Sequence, residues 1–154
     1  MKILKYALYA IIAVFFLLQF VPNELPENNS DMTNDIVLNT GAPEEIKLIL
    51  QKACYDCHSN QTHYPWYSYV APVSWLIAED TRHGREELNL SDWGSLNKRK
   101  KIRTLGDIAE EVEERKMPLK IYTLVHRDAI LSDQEIDAIS SWAKSLSESI
   151  LNGD

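Results

Sequence analysis

The sequence predicts an all-α fold, a small helical domain preceded by an N-terminal apolar helix. Three observations lead there. Apolar residues recur at helical spacing in several segments after Gly41. No stretch alternates apolar and polar residues like a half-buried strand, and only five of 154 residues are glycine. Ser132-Asp133-Gln134-Glu135 is a capping box, in which the serine hydroxyl takes the Glu135 N–H and the carboxylate reaches back. The chain divides into an apolar signal anchor over 1–21, a flexible linker over 22–40 and one domain over 41–154.

Lys2 and Lys5 precede an apolar run from Tyr6 to Val21 that only Gln19 interrupts, the n-region and h-region of an export signal. The downstream flank carries Glu24, Glu27, Asp31 and Asp35, with no Lys or Arg before Lys47. That asymmetry places the N-terminus in the cytoplasm and the rest across the membrane. The run is short for a spanning helix and suffices once Ile3, Leu4 and the Lys5 stem are included. No small-residue cleavage site follows it, so an uncleaved anchor is preferred to a cleaved signal peptide. Residues 22–40 are rich in Pro, Asn, Ser and Asp and poor in large apolar residues, which suits a spacer that stays unordered.

A first domain helix begins near Pro43, carries a stripe of Ile46, Ile49, Leu50 and Ala53, and runs into Cys54. A polar loop follows and turns aromatic, with Pro65 opposing a regular helix. A second helix is expected from Pro72 to about Glu87, burying Val73, Leu76 and Ile77, and then a turn over Asn89–Ser95. A third runs from Lys98 to Arg115 on Ile102, Leu105, Ile108, Ala109 and Val112. Its basic start and acidic end, Glu110 to Glu114, oppose the helix dipole and read as a solvated face in preference to a docking patch for a redox partner. The last helix follows the capping box, with Ile136, Ile139, Trp142, Ala143 and Leu146 as its apolar stripe.

The chemistry concentrates in Cys54-Tyr55-Asp56-Cys57-His58, a C-x-x-C-H pattern holding the only two cysteines of the chain. This is the pattern of covalent haem attachment. Two thiols three residues apart can add to the vinyl groups on one porphyrin edge, and the next residue, His58, is then placed to ligate the iron. A disulfide would leave His58 unexplained, a thioredoxin-like pair needs an adjoining βαβ unit, and a zinc site needs a fourth ligand. Export agrees with the motif, because unprotected thiols outside the cytoplasm tend to oxidise. Met117 is the candidate sixth ligand: it is the only methionine after the linker, and Pro118 places it on a turn. Its alternative role is to fill a core gap. His63, His83 and His126 are rivals, and His126, behind the apolar patch Ile121–Val125, is the strongest of them. Trp66, within the cluster Tyr64, Trp66, Tyr67 and Tyr69, is a candidate haem wall or propionate partner, against ordinary core packing.

The helix leading into C-x-x-C-H, the Met117-Pro118 pair and the closing Leu-Ser-Asp-x-Glu-Ile helix resemble class I cytochrome c. The wording Cys54–Asn60, Pro65-Trp66-Tyr67-Ser68-Tyr69, Pro72–Leu76 and Lys116-Met117-Pro118-Leu119 is similar to a narrower group, the bacterial haem-binding domain proteins, small membrane-anchored monohaem chains. The resemblance covers roughly Glu44 to Leu146. It implies first and last helices crossing beside the haem and Met117 as sixth ligand. One departure is a Trp- and Tyr-rich segment between the motif and Met117. The expected function is a membrane-tethered monohaem c-type cytochrome, ligated by His58 and Met117, that carries electrons to a redox partner. It would sit in a bacterial inner membrane with its domain facing the periplasm. The alternative is a haem-based sensor or ligand-binding module whose sixth ligand is displaced by a small molecule. No catalytic constellation marks an enzyme, and a net charge of −7 argues against nucleic-acid binding.

Overall fold

The computed structural model describes residues 2–153, and among them every regular element is helical. In chain order these are α1 (Lys2–Leu18), α2 (Ile36–Thr40), α3 (Glu44–Ala53), α4 (Tyr55–His58), α5 (Val73–Glu87), α6 (Lys98–Glu113), α7 (Lys120–Thr123) and α8 (Asp133–Asn152). Single 3-10 turns lie at Trp66–Tyr69, Leu90–Ser95 and Arg127–Ala129.

The spine is an antiparallel pair, α6 on α8. Lys98, at the start of α6, donates to the Leu151 carbonyl near the end of α8 at 2.9 Å. Glu113, at the end of α6, accepts from Ser140 and Lys144 of α8. Leu105, Ile108, Ala109 and Val112 pack with Ile136, Ile139 and Ala143 between the two helices. Each large aliphatic side chain buried there stabilises the fold by about 1.5–3 kcal/mol. The capping box at Ser132 forms, so α8 starts where its sequence says. Ile46, Ile49 and Leu50 of α3 complete the core, and Lys52 pairs with Glu135 at 2.6 Å to join α3 to α8.

Four expectations are corrected. The apolar helix stops at Leu18, not Val21, and no helix among the described residues is long and apolar enough to cross a membrane. Gln19 ends it: the side-chain amide donates to the Ala71 carbonyl at 3.1 Å and accepts the Ala71 N–H at 3.0 Å. Residues 22–40 are not a free spacer. Asn28 bonds both backbone groups of Thr62 at 2.7 and 3.0 Å, Tyr64 donates to the Pro26 carbonyl at 2.8 Å, and Ile36 is fully buried in the core. Their polar composition suggested disorder, but polar partners distant in sequence supply the order. The Asn89–Ser95 turn is a 3-10 helix that sends Leu90 and Trp93 into the core, with Lys101 over the Trp93 ring at 5.5 Å. Finally, α5 buries Ser74, Ala78, Thr81 and Gly84, while Val73 and Leu76 face out. Ser74, Ala78 and above all Gly84 let α5 approach α4 more closely than larger side chains would.

Candidate cofactor site

The site is built where α3 breaks. Cys54 leaves helical geometry at φ −125°, ends α3 and starts α4. The His58 N–H returns to the Cys54 carbonyl at 2.8 Å, so one turn carries Cys54, Cys57 and His58. The two residues that the motif leaves unspecified hold that turn in place. The buried Tyr55 hydroxyl donates to both Asp35 carboxylate oxygens at 2.8 and 3.0 Å. Asp56 accepts the Tyr122 hydroxyl of α7 at 2.7 Å and the His63 N–H at 2.9 Å.

His58 is oriented by α5. Its Nδ1 lies 2.9 Å from the Gly84 carbonyl and 3.1 Å from the Leu88 carbonyl. Carbonyls only accept, so Nδ1 carries the hydrogen and Nε2 of the neutral ring keeps its lone pair. Burial lowers the His58 pKa and favours that neutral form, against the two backbone hydrogen bonds that favour the cation. The approach of α5 depends on Gly84, where a Cβ would meet the Cys57 carbonyl oxygen at 2.6 Å. Both cysteines are free, and burial pushes the Cys54 thiol up to about 12 and the Cys57 thiol up to about 11.

A cavity of about 420 Å³ opens beside this turn, within the range of cofactor pockets, roughly 300–1,000 Å³. Its walls include Leu50, Leu88, Leu90, Ile108, Val112 and Leu131, and Cys54, His58 and Met117 all line it. Met117 arrives just beyond α6, its N–H donating to the Glu111 carbonyl at 3.1 Å. Charged residues line it too: Glu87, Asp107, Glu110 and Glu111 with Arg103. An apolar cavity holding a neutral imidazole with a free Nε2, a thioether and an adjoining pair of thiols suits a haem. A sequence model of a family described as "Haem-binding domain" matches residues 13–145. The chain belongs to the haem-binding domain family. No curated protein and no solved structure matches it.

The matched span of this haem-binding domain starts inside α1 and ends within α8, so it contains the whole cavity. The remaining residues singled out in the sequence fall elsewhere. Trp66 is 77 % exposed and does not line the cavity, so it is no wall of this space. The reason is its 3-10 turn, whose inward residue is Ser68. His126 does not line the cavity either. Its Nε2 is 2.7 Å from the Tyr67 hydroxyl, and its ring stacks on Tyr122 at 4.2 Å. His63 and His83 are exposed. Cys57 shares the turn with His58 but is not among the lining residues. In this haem-binding domain the carbonyls of Gly84 and Leu88 were not foreseen. A glycine inside an otherwise helical stretch was the available signal, because it marks a close backbone approach. Nor was the acidic end of α6 foreseen at the cavity, where Glu110 and Glu111 contribute to its lining.

Proposed function

We propose that this chain is a membrane-tethered, class I cytochrome c-like electron carrier with one haem c. Cys54 and Cys57 would hold the group as thioethers, and His58 Nε2 and the Met117 sulfur would be the side-chain donors to its iron. A bound haem supplies one reversible electron at its iron. The single observation that carries the proposal is that His58, its Nδ1 committed to two carbonyls, lines the same cavity as Met117. The tethered Nδ1 hydrogen fixes the ring and makes Nε2 the donor. The thioether is a soft ligand that favours the reduced metal. Leu88, Ile108 and Val112 give the cavity apolar walls beside these donors. With both donors supplied by the chain, the group would transfer electrons and leave no open place for a substrate. Export across a bacterial inner membrane, with α1 holding the domain on the periplasmic side, is supported by the charge asymmetry around the apolar run and by an attachment motif that would leave no free thiol to oxidise there.

The test is spectroscopic. The oxidised chain is expected to show the weak far-red sulfur-to-iron band, and Met117→His to remove it and lower the potential. Met117→Ala is expected to let carbon monoxide bind the reduced form, and His126→Ala to change neither property. Cys54→Ala with Cys57→Ala should leave all haem extractable by acid-acetone. Carbon monoxide binding to the unaltered reduced chain would point to a ligand-binding module instead. A missing far-red band, or opening by His126→Ala alone, would remove Met117 from the assignment.

A further inference from the structure

Four exposed apolar side chains lie on the two elements that flank the attachment of α1. Trp66 and Tyr69 are three residues apart on a 3-10 turn and so share a face. Val73 and Leu76 share a face of α5 at the same spacing. Tyr69 lines one small cavity together with Phe20 and Val21, both exposed at the end of α1. Two attachments fix α1 there. Gln19 exchanges hydrogen bonds in both directions with Ala71, and Asn23 donates to the Ser74 carbonyl at 2.9 Å. Ala71 and Ser74 are themselves buried, so the attachment is to the body of the domain and not to a loose loop.

We infer that this face, Trp66, Tyr69, Val73 and Leu76, docks on a lipid bilayer and completes the apolar span that α1 begins. The inference rests on the tethering proposed above. The 17 residues of α1 rise about 26 Å, short of a hydrocarbon core of about 30 Å. None of its side chains is buried by the domain, so its apolar surface needs other surroundings. The missing height falls at the C-terminal end, beyond Leu18, which is where Phe20, Val21 and Tyr69 gather. Trp and Tyr are the residues that rest at the junction of hydrocarbon and headgroups, apolar ring inward and polar edge in the wet layer. Glu79 and Arg82 on α5 are exposed and paired with each other, which marks the next turns of the helix as solvent-facing. Because Gln19 and Asn23 hold α1 to the same two elements that carry the face, whatever bilayer receives α1 meets that face in a fixed orientation.

The test uses the full haem-loaded chain in vesicles of phosphatidylcholine and phosphatidylglycerol that contain a phosphatidylcholine with a diazirine in one acyl tail. Flotation reports tethering, and mass spectrometry of photolysed samples reports which peptides touch lipid. Lipid adducts are expected on the peptide spanning 66–76 as well as on α1. Trp66→Glu with Leu76→Glu should leave flotation intact and lower adducts in 66–76 by about tenfold or more, as loss of two large apolar contacts implies. Gln19→Ala should lower them too while adducts on α1 persist. Flotation with adducts confined to α1 overturns the docking face and leaves the tether standing. Failure to float overturns both. Cross-links between the 66–76 segments of two chains, with no lipid adducts there, would assign the face to a second copy and overturn the lipid assignment.

Discussion

Replacing Gly84 by alanine tests whether the close approach of α5 positions His58, the proposed haem ligand. The added Cβ would stand 2.6 Å from the Cys57 carbonyl oxygen and 3.1 Å from its carbonyl carbon and Cβ. Ordinary contact begins near 3.4 Å, so α5 must retreat by about 0.8 Å. The obstruction is backbone and cannot rotate aside. Overpacking of this kind costs about 1–3 kcal/mol, and the retreat also stretches the bond from His58 Nδ1 to the Gly84 carbonyl, for which about 0.5–1.5 kcal/mol is typical. Alanine returns up to about 1 kcal/mol through helix propensity. The net expectation is a loss of about 1–3 kcal/mol. Gly106, exposed in α6 with nothing within 4 Å of its would-be Cβ, is the control, and Gly106→Ala should gain up to about 1 kcal/mol. Guanidinium unfolding of the haem-loaded chain, followed by far-ultraviolet circular dichroism, measures both. If Gly84→Ala is as stable as the parent, or gains as Gly106→Ala does, the close approach is not what sets the position of α5.

Tyr55→Phe removes the only hydroxyl reaching the fully buried Asp35 carboxylate from α4; a loss of about 1–3 kcal/mol is expected by chemical unfolding, and a loss under half of that would show that the carboxylate finds another donor. Glu135→Gln tests the acid limb. Lys52, with the Ser132 N–H and hydroxyl, holds the Glu135 carboxyl below the usual glutamate range. The unfolded chain therefore binds that proton more readily. The contribution is complete above pH about 4.3 and is lost as pH falls through the lower folded value. The substitution should flatten stability against pH below about 4.3, by about 1 kcal/mol or less for this partly exposed pair, and an unchanged limb would remove the pair from the acid response. Ile139→Ala, at a fully buried position between α6 and α8, should cost about 2–5 kcal/mol, and a cost near that of an exposed position would mean the pair of helices repacks freely.

Much of the helical framework was legible because its signals are local. The stripe from Ile46 to Ala53, the stripe from Leu105 to Val112 and the capping box at Ser132 each depend on residues three or four apart, and α3, α6 and α8 follow them closely. The attachment motif is local in the same sense. What escaped depends on partners far along the chain. Asn28 looked like linker because nothing nearby explains it, and its order comes from Thr62. Trp93 sits in a polar turn, yet it is a large, almost fully buried core side chain. The inward face of α5 was misassigned because hydrophobicity was taken as the guide, whereas that face needs smallness to clear Cys57. Trp66 went the same way: an aromatic beside a haem motif suggests a wall, but the inward position of its turn belongs to Ser68.

The carboxylates at the cavity have an electrical consequence. Glu87, Asp107, Glu110 and Glu111 face one guanidinium, Arg103, which Asp107 already partly offsets at 3.5 Å. The opening is therefore a patch of negative potential on a chain whose net charge is −7. A screening length of about 8 Å at physiological salt confines that potential to molecules already near the opening. A cationic protein surface would be drawn in and turned toward the cavity, an anionic one turned away, and the rate of encounter would fall as salt is added. The selection acts before any contact forms, at the opening of the cavity that Met117 and His58 line.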